Sequence, residues 1–154
     1  PSNATAAVIG VFSPTLTEPL AHSMKAMGVK RGMIVCGCDG MDEITLTGTT
    51  HISEIKDDNV TSYDINPADY GLKITDAEQL KGGNGEENAE TTKAILAGKE
   101  TGAKRDIVLL NAGAAIYCAG IADTLAEGIE KAKESIDSGK ALEVLNKLVE
   151  FTNR

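Results

Sequence analysis

Two short apolar runs bracketing a helical pattern, all within the first 37 residues, constrain the fold most strongly. Residues 6–12 (AAVIGVF) are rich in β-branched side chains, and Ser13-Pro14 then supplies a helix N-cap followed by proline at the first helical position. Leu16, Leu20, Met24 and Met27 recur at steps of three and four, the spacing of one buried helical stripe, and Gly28 offers a stop. Pro19 either kinks this helix or marks its true start. A second apolar run, residues 33–35, ends at Cys36-Gly37. Strand, helix and strand in so short a span are the βαβ unit of a parallel sheet, so the chain is expected to be an α/β protein.

The pattern then changes. Residues 44–50 are Thr-rich and extended, and residues 51–65 carry a central turn at Asp57-Asp58-Asn59, which together predict an antiparallel hairpin. Residues 67–81 form a connector with one helical turn. From Asn84 onward everything is helical in pattern, beginning with Asn84 as N-cap and Glu87 three residues later as its capping-box partner. Residues 106–119, including Val108, Leu109, Leu110, Ala114, Ala115 and Ile116, are apolar nearly all round and predict a helix buried against the sheet. Asp123 is placed to cap the next helix. Leu125, Ile129, Ala132 and Ile136 line its buried face until Gly139, and Leu142, Leu145 and Leu148 begin a last helix with another apolar stripe. The expected architecture is a partial, mainly parallel sheet with an antiparallel hairpin and a helical C-terminal half.

Composition narrows the function classes. A length of 154 residues with 42% hydrophobic side chains suits one core and one domain. With 3% aromatic residues that core is aliphatic, and there is little material for stacking nucleic-acid bases. A net charge of −8 opposes binding of a phosphate backbone, so nucleic acid is not an expected partner. An anionic small molecule instead needs a local device such as a metal ion or a helix N-terminus. Three cysteines, Cys36, Cys38 and Cys118, lack zinc-like spacing and point to a reduced, cytoplasmic protein. The longest apolar run, residues 107–119, is interrupted by Asn111 and falls short of the ~20 residues that span a bilayer, so no membrane segment is expected. The start of the chain has neither a basic region nor an initiating Met and reads as a cut end. Asn3-Ala4-Thr5 matches a glycosylation sequon that a cytoplasmic location leaves unused.

Chemistry concentrates in residues 34–48, IVCGCDGMDEITLTG. A buried strand ends at Cys36-Gly37, Asp39-Gly40 makes a turn, and Asp42 and Glu43 follow just past the carboxyl end of the strand, where open α/β sheets place ligands. Neighbours on a regular strand face opposite ways, so both acids serve one site only where the backbone is irregular, as Gly40 permits. Two carboxylates on a loop suit Mg²⁺, which takes oxygen ligands and completes its octahedron with waters and substrate phosphates.

The stretch GCDGMDEITLTGTTHISEIKDDNVTSYDI resembles the Gly-Asx-Gly-Leu/Met-Asp-Glu segment and following hairpin of anthranilate phosphoribosyltransferases. Three further segments agree with that family in order and spacing: IGVFSPTLTEPLA, LKGGNGEENA and RDIVLLNAGAAIY. The resemblance covers nearly the whole chain and implies the C-terminal portion, residues 1–154, of a nucleoside phosphorylase/phosphoribosyltransferase-like α/β domain. It implies Mg²⁺ bound by Asp42 and Glu43 as cofactor, with phosphoribosyl pyrophosphate and anthranilate as substrates in tryptophan biosynthesis. The implied reaction transfers the phosphoribosyl group to the anthranilate amine and releases pyrophosphate, whose developing charge the metal neutralises.

The chain also departs from that family. The Gly-Thr-Gly-Gly-Asp loop that cradles pyrophosphate is absent, as is the N-terminal helical domain that in the family helps form the anthranilate site and the homodimer contact. Pro1 resembles the tail of the family's Gly-Pro-Leu-x-Asn-Pro segment, so the missing part is expected to be lost by truncation or proteolysis and the piece alone to be inactive. Cys36 and Cys38 replace residues that are often His and acidic in relatives.

Other features read as structure. Lys81-Gly82-Gly83-Asn84-Gly85 looks like a phosphate loop, but Glu86 and Glu87 in the first helical turn repel phosphate and favour a cap. Cys36-Gly37-Cys38 has no third soft ligand near in sequence, and His22 and His51 have no partner at metal-ligand spacing. Asn111 in an apolar helix is expected to satisfy a backbone group, with a cleft-facing role as the alternative. Competing functions are another phosphoribosyltransferase or nucleoside phosphorylase of this fold, or a non-catalytic nucleic-acid-binding paralogue, which the net charge and the acid pair disfavour.

Overall fold

A computed structural model describes residues 4–153; the sequon at Asn3 and the motif at Pro1 lie outside them. Four strands, β1 (Ala6–Gly10), β2 (Arg31–Gly37), β3 (Thr50–Lys56) and β4 (Asn59–Ile65), form one sheet in the order β1-β2-β3-β4. Helix α1 (Thr17–Ala26) crosses from β1 to the parallel β2, as the βαβ pattern requires. Helices α2 (Gly85–Leu96), α3 (Ala103–Cys118), α4 (Leu125–Asp137) and α5 (Lys140–Thr152) make up the second half. The α/β class, the hairpin and the helical half are as expected, but parallel pairing is confined to β1 and β2. The sheet is mixed rather than mainly parallel because β2 and β3 are joined by a loop without a crossover helix, which returns the chain antiparallel.

Every residue of β2 from Gly32 to Gly37 is buried, since both faces of the sheet are covered. Ile34 and Ile55 pack under Ala21 and Met24 of α1, while Met33, Val35 and Ile52 meet Leu109, Leu110 and Ala114 of α3. The hairpin turns on Asp57 and Asp58, both with positive φ (50° and 60°), the two-residue turn whose twist matches that of the strands. At the far end of the sheet the Glu54 carboxylate accepts from Tyr117 (2.6 Å) and Tyr63 (2.8 Å), and Arg31 donates to the Tyr117 carbonyl (2.9 Å), tying the end of α3 to the strands. Burial, then the Glu54 charge, push the Tyr63 phenol well above its ordinary range.

Several expectations are corrected. Residues 44–50 are not extended strand until Thr50; they belong to an irregular loop in which Ile44, Thr45 and Leu46 are buried. Helix α1 buries Thr17, Ala21 and Met24 instead of the Leu16–Leu20–Met24–Met27 stripe; Met27 is 84% exposed. Small side chains on that face let the helix lie close to the sheet, where the Thr17 hydroxyl is bonded by Ser53 (2.8 Å). Pro19 sits in the first turn of α1, where its missing N–H costs nothing, and so marks the start rather than a kink. Ser13 precedes a 3-10 turn at Pro14–Leu16 and makes no side-chain cap. The connector holds two such turns, Pro67–Tyr70 and Ala77–Leu80. Thr124, not Asp123, caps α4, accepting from the Glu127 N–H (3.1 Å). Helix α3 is less enclosed than its composition predicts: Leu109, Leu110 and Ala114 are buried, but Ala115 is exposed. The α5 stripe is not core, since no residue of that helix is fully buried.

Other expectations hold. Asn84 accepts from the N–H groups of Glu86 and Glu87 (3.0 Å each) while Glu87 accepts from the Asn84 N–H (2.8 Å), a complete capping box. Leu125, Ile129, Ala132 and Ile136 are all buried on α4. Among the described residues no helix is long and apolar enough to cross a membrane.

Helices α3 and α4 cross in direct backbone contact. A Cβ on Gly128 would lie 2.3 Å from the Gly113 carbonyl oxygen, and one on Gly113 would lie 2.7 Å from the Ile129 nitrogen. Gly128→Ala is therefore expected to destabilise the fold by about 1–3 kcal/mol in urea unfolding despite the better helix propensity of alanine. Gly85→Ala, where a Cβ meets nothing within 4 Å, serves as the neutral control.

Candidate metal and diphosphate site

Residues 38–49 link β2 to β3 at the carboxyl end of the parallel pair. The loop starts as a tight turn: the Gly37 N–H donates to the Met41 carbonyl and the Gly40 N–H to the Gly37 carbonyl (2.9 Å each), with Gly40 at φ 83°. Asp39 organises the remainder of the loop. Its Oδ1 accepts from the Met41 N–H (3.0 Å), and its Oδ2 accepts from the hydroxyls of Thr45 (2.8 Å) and Thr47 (2.7 Å). Burial alone raises the pKa of this carboxyl, but the bonds from Thr47, Met41 and Thr45 together outweigh it and hold Asp39 below the usual carboxylate range. By sequence Asp39 is only a turn residue; the signal for its wider role is the pair of hydroxyls in Thr45-Leu46-Thr47.

The far side of the loop is pinned by helix α3. Asn111 Oδ1 accepts from the Ile44 N–H (2.9 Å), and its Nδ2 donates to the carbonyls of Ile44 (2.9 Å) and Ile107 (3.0 Å). Asn111 thus satisfies backbone groups and also borders the cleft, so its two expected roles coincide. Strand β1 presses from below: a Cβ on Gly10 would fall 1.5 Å from the Asp42 carbonyl oxygen, so this strand end admits only glycine.

Asp42 and Glu43 ride on this platform, both exposed, beside a cleft of about 440 Å³ walled by Gly10 and Val35 from the sheet and Ile107, Val108 and Asn111 from α3. Neither carboxylate has a hydrogen bond or ion pair within the described residues. They are therefore two free oxygen-donor groups on one irregular loop, as the sequence required. No group of three or more His, Cys, Asp or Glu that could hold a metal occurs among the described residues. A bare pair of carboxylates matches a hard cation that draws its remaining ligands from water and phosphate oxygens, not a closed site of soft ligands.

A second cleft of about 430 Å³ lies beside Phe12, Cys36, Cys38 and His51. His51, expected to stand alone, bonds Asp64 through Nδ1 (2.6 Å); the turn at Asp57-Asp58 sets the register that puts the two opposite each other. Cys36 is buried, with its thiol pKa raised by burial and then by the Asp39 charge, and Cys38 is exposed; both are free thiols. His22 only approaches Glu18 on the surface of α1 (3.8 Å).

The family described as "Glycosyl transferase family, a/b domain" matches residues 1–142. The anthranilate phosphoribosyltransferase of Acetivibrio thermocellus is 48% identical over 99% of this chain and 44% of its own length. That of Alkaliphilus metalliredigens is 47% identical over 99% of this chain and 44% of its own. The chain thus spans less than half the length of these curated relatives. Among solved structures, anthranilate phosphoribosyltransferase from Thermus thermophilus superposes with a TM-score of 0.86 at 38% identity, covering 94% of this chain and 42% of that one. The Saccharomyces cerevisiae enzyme in complex with phosphoribosyl pyrophosphate and Mg superposes with a TM-score of 0.81 at 28% identity, covering 90% of this chain and 40% of that one. The chain belongs to the a/b-domain glycosyl transferase family, and these relatives within it are anthranilate phosphoribosyltransferases.

Proposed function

We propose that this chain is the C-terminal portion of the α/β domain of an anthranilate phosphoribosyltransferase, in which Asp42 and Glu43 hold Mg²⁺ for the diphosphate of phosphoribosyl pyrophosphate. The observation that carries the proposal is the pair of exposed, unpartnered carboxylates lining one cleft at the carboxyl end of the parallel strands. The identity to the named enzymes and the S. cerevisiae complex with phosphoribosyl pyrophosphate and Mg support the choice of reaction and metal.

When bound, Mg²⁺ supplies charge neutralisation at the departing diphosphate. The chain's own residues contribute by position. Asp42 and Glu43 would hold the cation and offset part of its positive charge, a pair of carboxylates being a donor set that leaves room for substrate phosphate and water. Val35, Ile107 and Val108 give the cleft an apolar wall, which lowers the local dielectric and strengthens electrostatic contacts within it. Catalysis by orientation and charge needs no protein nucleophile.

In this reading the enzyme is a cytoplasmic homodimer of tryptophan biosynthesis. The glycine-rich diphosphate loop, the anthranilate contacts and the dimer-forming helical domain belong to parts of the longer polypeptide outside these 154 residues. The net charge of −8 favours a small-molecule substrate over nucleic acid in this reading.

In the full-length enzyme, Asp42→Asn combined with Glu43→Gln is expected to lower the rate of phosphoribosylanthranilate formation by about 10²-fold or more. The thermal midpoint should stay within about 2 °C of the parent's, because exposed side chains without partners contribute little to stability. Unchanged turnover removes the metal assignment. The 154-residue chain mixed with Mg²⁺ and both substrates is expected to form no product in a fluorescence assay; measurable product would place the essential diphosphate contacts within this piece.

A further inference from the structure

We infer that Asn111 is a positioning residue for the acid pair, holding the Ile44 peptide groups from helix α3 and thereby setting where Asp42 and Glu43 meet a cation. The inference rests on the metal site proposed above and adds to it a residue 67 positions from Ile44 in sequence.

Three observations carry it. Both hydrogens of the Asn111 amide are committed, to the carbonyls of Ile44 and Ile107, and Oδ1 accepts from the Ile44 N–H. The bond to Ile107 lies within α3, so it fixes the rotation of the amide before the loop docks on it. No amide hydrogen remains to donate to a substrate, although the side chain borders the cleft, so the three bonds it makes go to supporting the loop and its own helix. Second, the clamp closes on the residue directly after Glu43. Ile44 is fully buried, so its peptide groups have no water to fall back on if the amide is removed. Third, the opposite side of the same segment is blocked by Gly10, whose missing side chain leaves room for the Asp42 peptide and nothing more. The acid pair is thus caught between a strand end and a helix, and either wall displaced moves the carboxylates.

Asn111→Leu keeps the branched shape, with bulkier methyl groups, and deletes all three bonds; Gly10→Ala pushes the Asp42 peptide from the other side. The test is direct binding of Mn²⁺ as a probe, read from the paramagnetic resonance signal of free Mn²⁺, to full-length enzyme with phosphoribosyl pyrophosphate and no anthranilate, so that no turnover is involved, against an enzyme-free mixture of the same metal and diphosphate as baseline. Each variant is expected to weaken Mn²⁺ binding by about 10–100-fold, the usual loss when a group supporting metal ligands is removed. Met24→Ala, which opens a cavity under α1 in the cluster with Ile34 and Ile55, apart from the α3 cluster, is expected to lower stability without changing Mn²⁺ binding, separating positioning from general destabilisation. Should Asn111→Leu fail to fold, Asn111→Ala, which deletes the same bonds without added bulk, decides in its place: weakened binding supports the inference and parental binding overturns it. The Asp42→Asn, Glu43→Gln enzyme distinguishes the two levels. Parental Mn²⁺ binding by that enzyme removes the metal site itself. Loss of binding there, with the Asn111 variant at the parental affinity, overturns only the role of Asn111.

Discussion

Ile44, Thr45 and Leu46 are buried without belonging to a strand, so no ladder supplies partners for their peptide groups, and the whole site depends on where those partners are found. The Asn111 amide takes the Ile44 N–H and carbonyl, the Thr50 hydroxyl takes the Thr45 N–H (3.0 Å), and the Thr75 N–H reaches the Leu46 carbonyl (3.0 Å). These partners come from a helix, a strand and the connector after the hairpin. An irregular segment tied to three separate elements has little freedom to drift, which is the condition for two exposed carboxylates to hold a defined geometry.

The rest of the fold serves that platform. The parallel pair β1–β2 delivers two strand ends at one edge, and the burial of β2 on both faces keeps that edge rigid. Helix α3 performs two tasks along its length: its middle clamps the loop through Asn111, and its end is anchored to the strands by Tyr117, Glu54 and Arg31. The close crossing at Gly113 and Gly128 presses α4 against α3 from behind. Asp39 completes the arrangement from inside the loop. As a carboxylate with three donors it is stabilised in its charged form, whereas Asp42 and Glu43, with none, are left available.

Features governed by local chemistry were legible in the sequence. The Asn84–Glu87 capping box, the Asp57-Asp58 turn, the βαβ unit and the α4 stripe each depend on residues within a short stretch of chain, and each is present. The placement of Asp42 and Glu43 as two exposed carboxylates on a loop after a strand was legible for the same reason, and their metal role is a proposal. Features that depend on distant neighbours were not. Residues 44–49 have the composition of a strand but bend away because Asn111 offers a side-chain substitute for a ladder partner. Helix α1 turns its threonine and alanine inward because Ser53 of β3 supplies a hydroxyl partner no local pattern reveals. The stripe on α5 has the right period yet covers no core among the described residues.

The most direct test of the metal site is diffraction at the manganese absorption edge from the full-length enzyme crystallised with Mn²⁺ and phosphoribosyl pyrophosphate. The expected result is an anomalous peak within ligand distance of the Asp42 and Glu43 carboxylates and of diphosphate oxygens. A fully occupied cation on the diphosphate with both of these side chains turned to bulk water would contradict it.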